Sequence, residues 1–535
     1  MHDLRKIWKF APEIFQHQNH QSMRNKTNKT MLPLAAVLLG GTMAAQAQWG
    51  TTEAPSTLYE RENSEIASMK TARTSDGKTF MTWLQWSETE GWGFEMHMQL
   101  LDADGVAQWG ESGMVVEKQR NASWTADYWL VVTPEGDAVV SWADARGEED
   151  AETAQGHVSV IYKVSQDQKQ LWGEDGLLLG EEYKFPATLY MFGDDMYAIM
   201  QSAEEYGTPQ LVRLDADGEF ACQPIDFSGQ LIASEGTDII AVYAGSTGTE
   251  AMRYDRDLKP VWEKPATVST EIYQGYARQP YSLVSDGRGG VVISFSRNLG
   301  MFSHMPIVQY ISADGEAVFG ESADVLNTED GDHEYNVIGV NTESETIMSA
   351  WALSGFGDGM LALGGQMMDF FGERLWGDMG IRLSEKESAS GYGYGPMAID
   401  PLSGDNWLVC FADEQYWGHS QIYFASYSSD GNENWRVPVG PICSVDDYVT
   451  YLEGSDYYLF WVDEETDDDW NTFYSIKSVK MSDIDTGIRN VGEETAVSGD
   501  AQYYDLNGIR LSEPQNGLNI IRESDGTVKK VLVGK

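Results

Sequence analysis

Short, strongly apolar segments recur along the chain, and each one directly follows a polar turn. SDGKTFMTWLQ, PEGDAVVSWAD and EGSDYYLFWVD are three of these segments. A brief apolar run bounded by turn residues is typical of a buried β-strand. The aligned positions at the centre of the runs recur about every 54 residues, and seven of the eight are aromatic: Trp83, Trp142, Met200, Tyr243, Phe295, Trp351, Phe411 and Trp461.

A second pattern lies between these segments. It consists of an alternating strand, an Asp/Gly-type turn and then a Trp-Gly pair, as in DADGVAQWG at 102–110. An additional pair, Trp49-Gly50, has no apolar segment before it. The aligned positions of the other copies are Trp109, Trp172, Cys222, Trp262, Phe319, Trp376 and Trp435.

Together the two patterns predict four strands in each repeat, which is the make-up of a β-propeller blade. We therefore expect an all-β, eight-bladed β-propeller over residues 48–485. The last repeat has its third strand at 472–481 but no Trp-bearing strand after it. Residues near 49–58 are expected to complete that blade, because closing the ring removes an exposed sheet edge.

The turn and the Trp have separate expected roles. Asp and Gly favour the positive φ of a tight hairpin turn. The Trp is expected to pack its large flat face between neighbouring blades. The DxDG turns could alternatively bind calcium, but no copy has the full EF-hand spacing with its closing Glu, so a plain turn is favoured.

The regular Asp-Gly turn followed by Trp-Gly resembles the tryptophan-docking repeats of pyrroloquinoline-quinone-type propellers, which are eight-bladed. The resemblance implies the same fold. Many quinoprotein dehydrogenases of that family use an adjacent Cys-Cys pair at the cofactor, and this chain has no such pair. We therefore expect the fold without the cofactor.

Residues 1–47 are interpreted as an upstream extension followed by a signal peptide. Arg24, Lys26 and Lys29 form a basic region before a short apolar stretch, and Ala45-Gln46-Ala47 provides a small-x-small cleavage signal. This predicts a secreted protein that starts at Gln48. The apolar stretch is too short to be a permanent membrane anchor, so no transmembrane segment is expected in the mature chain. The alternative is an ordinary buried helix.

The C-terminal part is predicted to be a polar linker, 486–502, and a small β-module, 503–535, with Asn-Gly and Asp-Gly hairpin turns. Three blocks of the module, YYDLNG, GLNII and KKVLV, resemble the C-terminal sorting domain of type IX secretion cargo in Bacteroidetes. The resemblance implies export to the outer-membrane surface or beyond, with the secretion machinery as partner. A small structural β-domain is the alternative. The residues that carry the resemblance are Tyr504, Asp505, Leu506, Gly508, Gly517 and Lys530.

Composition narrows the possible partners. The formal net charge is −48, which argues against nucleic acid or anionic lipid and favours cations or basic partners. Three Cys do not make a disulfide framework, although a Cys410–Cys443 bond is a possibility. The five His after the signal show no HxH or HExxH spacing, so no metal site is predicted.

The candidate binding surface is formed by the longer loops between second and third strands, at 145–157, 297–306, 413–421 and 463–471. They mix carboxylates with aromatic residues, which suits a sugar ring or a cationic group. A solvated acidic rim is the alternative. The candidate ligand-binding residues are Trp92, Tyr416, Trp417, His419, Asp463, Glu464 and Trp470.

These features predict a secreted or surface-displayed binding protein that uses one propeller face for an unknown glycan, peptide or protein ligand. The competing class is a propeller enzyme acting on glycans, either a hydrolase or a lyase, and a purely structural surface protein is a third possibility. No catalytic residue is predicted, because no nucleophile elbow, phosphate loop or complete sialidase Asp-box is present.

Overall fold

The computed structural model describes most of the chain as β-strands and turns. None of the described segments is a helix long and apolar enough to cross a bilayer. Residues 1–47, interpreted above as an upstream extension and signal peptide, lie outside the described residues, as does the predicted linker up to residue 501. The described residues are 48–87, 93–117, 127–144, 157–180, 183–202, 208–245, 248–270, 282–300, 303–320, 324–326, 332–354, 360–387, 394–416, 418–445, 447–467, 470–482, 484, 502–504, 510–511, 517–522 and 528–533.

Within these ranges the strands form nine four-stranded antiparallel sheets, and eight of them are the blades of the propeller. The chain enters with β1 (Ser56–Glu62), which belongs to the last blade. Blade 1 contains β2 (Ile66–Arg73), β3 (Thr79–Ser87), β4 (Gly93–Leu101) and β5 (Met114–Val115). Blade 2 contains β6 (Trp129–Val132), β7 (Ala138–Asp144), β8 (Val158–Val164) and β9 (Leu177–Gly180). Blade 3 contains β10 (Thr188–Phe192), β11 (Asp195–Met200), β12 (Gln210–Leu214) and β13 (Ile225–Asp226).

The remaining blades follow the same order. Blade 4 contains β14 (Gly229–Ala233), β15 (Ile239–Ala244), β16 (Thr249–Tyr254) and β17 (Ala266–Ser269). Blade 5 contains β18 (Ser282–Ser285), β19 (Val291–Gly300), β20 (Ser303–Ile311) and β21 (Asp324–Val325). Blade 6 contains β22 (Asp332–Asn341), β23 (Thr346–Ser354), β24 (Met360–Asp369) and β25 (Ile381–Glu387). Blade 7 contains β26 (Tyr394–Pro401), β27 (Asn406–Tyr416), β28 (His419–Ser428) and β29 (Glu433–Cys443). Blade 8 contains β30 (Asp447–Glu453), β31 (Asp456–Thr466), β32 (Thr472–Met481) and, as its fourth strand, β1.

The first strands of the blades form the inner wall of a closed ring. Each first strand contacts the first strand of the next blade, from β2 through β6 and onward to β30, and β30 contacts β2 again. Each blade then extends outward by hydrogen bonding of consecutive strands. The predicted all-β, eight-bladed propeller is confirmed.

The ring closes through β1, the outermost strand of blade 8. It pairs antiparallel with β32, so that Glu60 is opposite Ser475. This confirms the predicted closure by the N-terminal strand, although Trp49 itself lies in the loop before β1. Its ring makes edge contacts with Tyr458 and Phe460, at centroid distances of 5.3 and 5.6 Å. Pairing with β1 leaves the third strand of blade 8 without an open edge.

The central apolar runs are the second strands, and their aromatic side chains fill the interfaces between blades. Trp83, Trp142 and Trp461 are at most 1% exposed. The three cysteines are all free, so the possible Cys410–Cys443 bond is absent. Burial of large aromatic side chains between sheets provides most of the apolar contact area that holds the ring together.

The Trp-Gly pairs were expected to lie in strands, but they lie in the loops between third and fourth strands. There, four of the indoles donate their N–H to the second residue of the turn in the following blade. The pairs are Trp49 to the Ala103 carbonyl at 2.8 Å, Trp109 to Gln166 at 3.1 Å, Trp262 to Ala313 at 2.9 Å and Trp376 to Ser429 at 2.7 Å. The expected packing of Trp between neighbouring blades is therefore realised by a repeated hydrogen bond.

Blade 3 has Cys222 in place of the Trp, and a different donor makes the equivalent contact. Nε of Arg213 donates to the carbonyl of Arg256 at 2.8 Å, which is again the second residue of the next turn. The turn carbonyl is thus satisfied even where the indole is missing. This pattern indicates that the contact, and not the Trp alone, is what joins the blades.

The Asp of each DxDG turn is used by the turn itself. Oδ1 of Asp102 accepts the backbone N–H groups of Asp104 and Val106, at 3.0 and 2.9 Å. Gly105 has a φ of 81°, and a Cβ there would lie 2.7 Å from the ring of Trp49. The glycine is therefore required both by the backbone conformation and by the approach of the indole.

Three buried glutamines fix the Trp-Gly loops, and the sequence analysis did not identify them. Gln99, Gln309 and Gln366 each lie three residues before a turn and are at most 3% exposed. Each Oε1 accepts the backbone N–H of the residue at the Trp position, at 3.0 to 3.1 Å. Each Nε2 donates to the carbonyl of the following Gly at 2.6 or 2.7 Å. A Gln three residues before the turn is the sequence signal for this contact.

Asp400 on β26 is a carboxyl group held in the apolar contact between blades 7 and 8. Burial raises the pKa of Asp400 to about 6, and the nearby hydroxyl of Tyr457 lowers it in part. The folded protein therefore binds this proton more tightly than the unfolded chain does. At low pH the carboxyl is neutral in both the folded and the unfolded chain and does not oppose folding. The free energy of unfolding then falls as the pH rises through the interval from 3.8 to about 6.

The indole contact leads to a first prediction. Trp376→Phe keeps a flat aromatic ring but removes the N–H donor to Ser429, so we expect the free energy of unfolding to fall by about 1 to 2 kcal/mol. The measurement is the midpoint of urea unfolding followed by fluorescence. Leu375→Ala, at the exposed neighbouring position, is the control and should change stability by less than about 0.5 kcal/mol. Equal effects of the two variants would contradict the proposed role of the bond.

The carboxyl of Asp400 leads to a second prediction. Asp400→Asn cannot ionise, so above about pH 6 it should be more stable than the wild type, by up to about 3 kcal/mol. The difference should shrink toward zero at about pH 4, where the wild-type carboxyl is also neutral. Thermal unfolding across this pH range measures it, with Asp405→Asn at an exposed turn as the control. A difference that does not depend on pH would show that the titration of Asp400 has no effect on folding.

Candidate functional site

The strand order gives the propeller two different faces. Turns between first and second strands and between third and fourth strands lie on one side, which we call the turn face. Loops between second and third strands, together with the connections from one blade to the next, lie on the other side, which we call the loop face. The predicted ligand-binding residues that the structure describes belong to segments of the loop face.

In blade 7 the predicted residues Tyr416 and His419 lie together at the end of the hairpin formed by β27 and β28. Their rings stack at a centroid distance of 4.5 Å, and Tyr416 is 49% exposed. The loop between them is fixed by Glu414, whose Oε1 accepts the backbone N–H of Gly418 at 3.0 Å. Trp417 lies outside the described residues. The stacked pair presents an aromatic surface beside a carboxylate.

In blade 8 the predicted residue Trp470 is 86% exposed, the most exposed large apolar side chain among the described residues. Its φ is 68°, in the left-handed region that bulky residues rarely adopt. Asp467 holds this conformation, because its carbonyl accepts the N–H of Trp470 at 3.1 Å and its carboxylate accepts the N–H of Asn471 at 2.9 Å. Trp470 is therefore a projecting side chain whose backbone is held by Asp467.

The base of the same hairpin is anchored to the closing strand. The N–H of Asn63, just after β1, donates to the carbonyl of Thr472 at 2.7 Å. In return, the N–H of Thr472 donates to the side-chain oxygen of Asn63 at 3.0 Å. The segment that closes the ring therefore also supports the loop that carries Trp470.

Asp463 and Glu464 lie deeper in blade 8 than the aromatic residues. Asp463 is 3% exposed, and its Oδ1 accepts the backbone N–H of Ser444 at 3.1 Å. The N–H of Glu464 donates to the Ser444 hydroxyl at 2.7 Å. Both residues thus fix the connection that leads from blade 7 into blade 8. The remaining predicted residue, Trp92, lies outside the described residues.

The turn face contains a cavity of about 730 Å³ that sequence analysis did not find. It is lined by the inner strands and turns of four consecutive blades, 8, 1, 2 and 3. These segments are far apart in sequence, and no local motif indicates that they meet. Among the lining residues are Thr71, Arg73, Thr133, Asp194, Tyr451 and Glu453.

Arg73 forms the electrostatic centre of this cavity and crosses the junction between blades 1 and 8. It makes an ion pair with Glu453 and donates to the hydroxyls of Tyr451 and Thr79, both at 3.2 Å. Its guanidinium lies 4.7 Å from the ring centroid of Tyr458. Burial lowers the pKa of Arg73, but the ion pair and the tyrosines outweigh it, so the net shift is upward.

The C-terminal sheet has the order β34-β33-β35-β36, with strands β33 (Gln502–Tyr504), β34 (Arg510–Leu511), β35 (Gly517–Arg522) and β36 (Val528–Val533). Tyr504 is opposite Ile520, and Ile520 is opposite Lys530, so the residues at 504 and 530 share one row across the sheet. Gly517 begins β35 and pairs with Val533. Asp505, Leu506 and Gly508 lie outside the described residues.

The metal-ligating side chains of the described residues form no group of three or more that could hold a metal ion. A cation at the turn would need an oxygen of the turn aspartate as a ligand. In the turn of Asp102, Oδ1 instead accepts two backbone N–H groups. Calcium binding, the alternative to a plain turn, is not tested by the structure.

The chain matches no protein-family model and no curated protein sequence. Solved structures with a similar fold include the polysaccharide lyase Uly1, at 9% identity over 84% of this chain and 92% of that chain, with a TM-score of 0.38. The β-propeller domain of the Trilobed protease from Pyrococcus furiosus is similar at 10% identity over 69% and 97%, with a TM-score of 0.34. A eukaryotic initiation factor is similar at 11% identity over 82% and 95%, with a TM-score of 0.41.

Proposed function

We propose that the protein is a binding protein that holds its ligand on the loop face of blades 7 and 8. The observation that carries this proposal is Trp470, which projects into solvent and has a left-handed backbone conformation. Exposure of a large aromatic ring and an unfavourable φ both cost free energy without a ligand. Such a combination is typical of a residue that is kept for contact with a partner.

The chemistry of the surface points to the kind of ligand. The stacked rings of Tyr416 and His419 and the indole of Trp470 offer flat aromatic surfaces, and Glu414 and Glu465 add carboxylates on the same two hairpins. Aromatic surfaces bind the apolar face of a sugar ring, and carboxylates accept hydrogen bonds from its hydroxyls. We therefore propose a glycan as the first ligand class, with a basic peptide or protein segment as the second.

The proposed setting is extracellular. A signal peptide ending at Ala47 and a sorting-type module over 503–535 would together export the protein to the outer-membrane surface of a Bacteroidetes-type cell. The backbone register that aligns positions 504 and 530 supports a folded C-terminal module. We also propose that the blades are related to tryptophan-docking repeats. The four indole contacts with the following turns support this relationship. No cofactor is proposed.

A propeller enzyme that acts on glycans, as a hydrolase or a lyase, is the second candidate. The observation that favours it is Glu117, whose pKa burial raises well above the usual range, with Glu95 and Asp144 nearby. A carboxyl group of raised pKa close to other carboxyl groups is an arrangement that suits general acid–base cleavage of glycosides. Glu117 is, however, only 7% exposed, and its Oε2 accepts the N–H of Met96 at 2.9 Å, which equally suits a structural role.

The aromatic surface leads to a third prediction. We expect the purified protein over 48–490 to bind a subset of a glycan array, and Trp470→Ala or Tyr416→Ala to weaken that binding about 10-fold or more, through the loss of about 1.4 kcal/mol of stacking. Affinity is measured by calorimetry with the best glycan. Phe371→Ala is the matched control, because Phe371 is 79% exposed but belongs to a turn on the other face.

Two outcomes would contradict this proposal. If both loop-face variants bind as the wild type does while remaining folded, the loop face of blades 7 and 8 is not the site. If the bound glycan is cleaved, and Glu117→Gln abolishes cleavage but keeps affinity, the enzyme alternative replaces the binding protein.

A further inference from the structure

We propose that the cavity on the turn face is a second binding site, which takes the ammonium or guanidinium group of a basic peptide. This inference is independent of the proposed glycan site, since the cavity lies on the opposite face of the propeller. Its volume of about 730 Å³ is in the range of small-molecule and peptide side-chain pockets. The charged groups of the cavity differ in whether they already have partners within the protein.

The single cation among the lining residues is not available to a ligand. Arg73 uses its two terminal nitrogens for Glu453, Tyr451 and Thr79. Its flat face is covered by the rings of Tyr451 and Tyr458, at 5.4 and 4.7 Å. An anionic ligand would have to break the ion pair that joins blades 1 and 8, so anion binding is disfavoured.

The carboxylates, by contrast, are accessible. Arg73 engages only Oε2 of Glu453, whose side chain is 48% exposed, so the second oxygen can accept a hydrogen bond. Asp194 lies in the exposed turn of blade 3 that lines the same cavity. Hydroxyl groups of Thr71 and Ser75 add further acceptors for N–H donors. The free groups of the cavity therefore match a cationic hydrogen-bond donor.

The charge of the whole chain acts in the same direction. With 84 acidic and 36 basic residues, the protein produces a negative potential that attracts cations toward its concave surfaces. The cavity, with Asp194 and Glu453 in its lining, lies within that potential. A basic peptide is a better match than a simple metal ion, because the described residues contain no cluster of three metal-ligating groups.

The test uses the protein over 48–490 and a lysine-containing tetrapeptide amide, with the same peptide acetylated on its lysine side chain as ligand control. We expect the lysine peptide to bind with one-to-one stoichiometry and the acetylated peptide to bind at least 10-fold more weakly. Asp194→Asn should weaken binding about fivefold or more, whereas Asp405→Asn should change it by less than twofold. Asp405 is a matched control because it is exposed in the corresponding turn of blade 7.

A second measurement locates the peptide directly. Carbodiimide coupling of the lysine amine, followed by mass spectrometry, should yield amide bonds to Asp194 or Glu453. Equal loss of affinity in the two Asn variants, or coupling scattered over other carboxylates, would show non-specific attraction and overturn the proposal. Coupling to Glu414 or Glu465 would instead place the peptide on the loop face, so failure of this site and failure of the loop-face site are distinguishable.

Discussion

The fold depends on the backbone hydrogen bonds between β1 and β32. A ring of sheets built from a linear chain has one junction that chain connectivity cannot supply, and here the first strand of the propeller pairs with the last. The closing strand also contributes side chains to its neighbours. Tyr59 packs on Trp83 of blade 1 at 4.5 Å, and its hydroxyl donates to Gln85 at 2.6 Å. Closure therefore joins blade 8 to blade 1 through backbone and core contacts together.

A second kind of contact joins several of the blades, including blades 8 and 1. An indole N–H, or in one blade an arginine N–H, donates to a turn carbonyl of the following blade. Each such bond is worth about 1 kcal/mol, but it also fixes the angle between blades because the ring lies against the turn. In the turn that receives Trp49, Asp102 stabilises the conformation by accepting two backbone N–H groups. At this junction the Asp and Gly of the turn and the Trp of the preceding blade therefore act together to fix the contact between the blades.

Much of the fold could be predicted because the patterns that define a blade are local in sequence. The turn residues, the apolar second strands and the spacing of the repeats each show within one blade, so the number of blades and the closing strand follow from counting. The position of Trp-Gly was predicted wrongly as a strand. Trp is common in strands, and the fourth strands are too short for alternation to reveal them: β5 is only Met114–Val115.

The candidate sites were less accessible to sequence reasoning. Exposure of Tyr416 and Trp470 agrees with their position in polar loops, but the burial of Asp463 depends on Ser444, which enters from the preceding blade. The cavity on the turn face depends on segments from four blades that meet only after closure. Contacts between distant segments leave no periodic signal, so patterns in the chain could not indicate them.

The scarcity of basic residues links the fold to its expected partners. Several of the arginines are used at junctions between blades, as in the pairs Arg73–Glu453, Arg256–Asp195 and Arg288–Glu345. These ion pairs reduce electrostatic repulsion where acidic blades approach one another. Arginines that form ion pairs at the junctions are not available to bind ligands on the two faces. Because the chain has 84 acidic and 36 basic residues, a ligand that approaches either face meets an excess of carboxylates over positive charges.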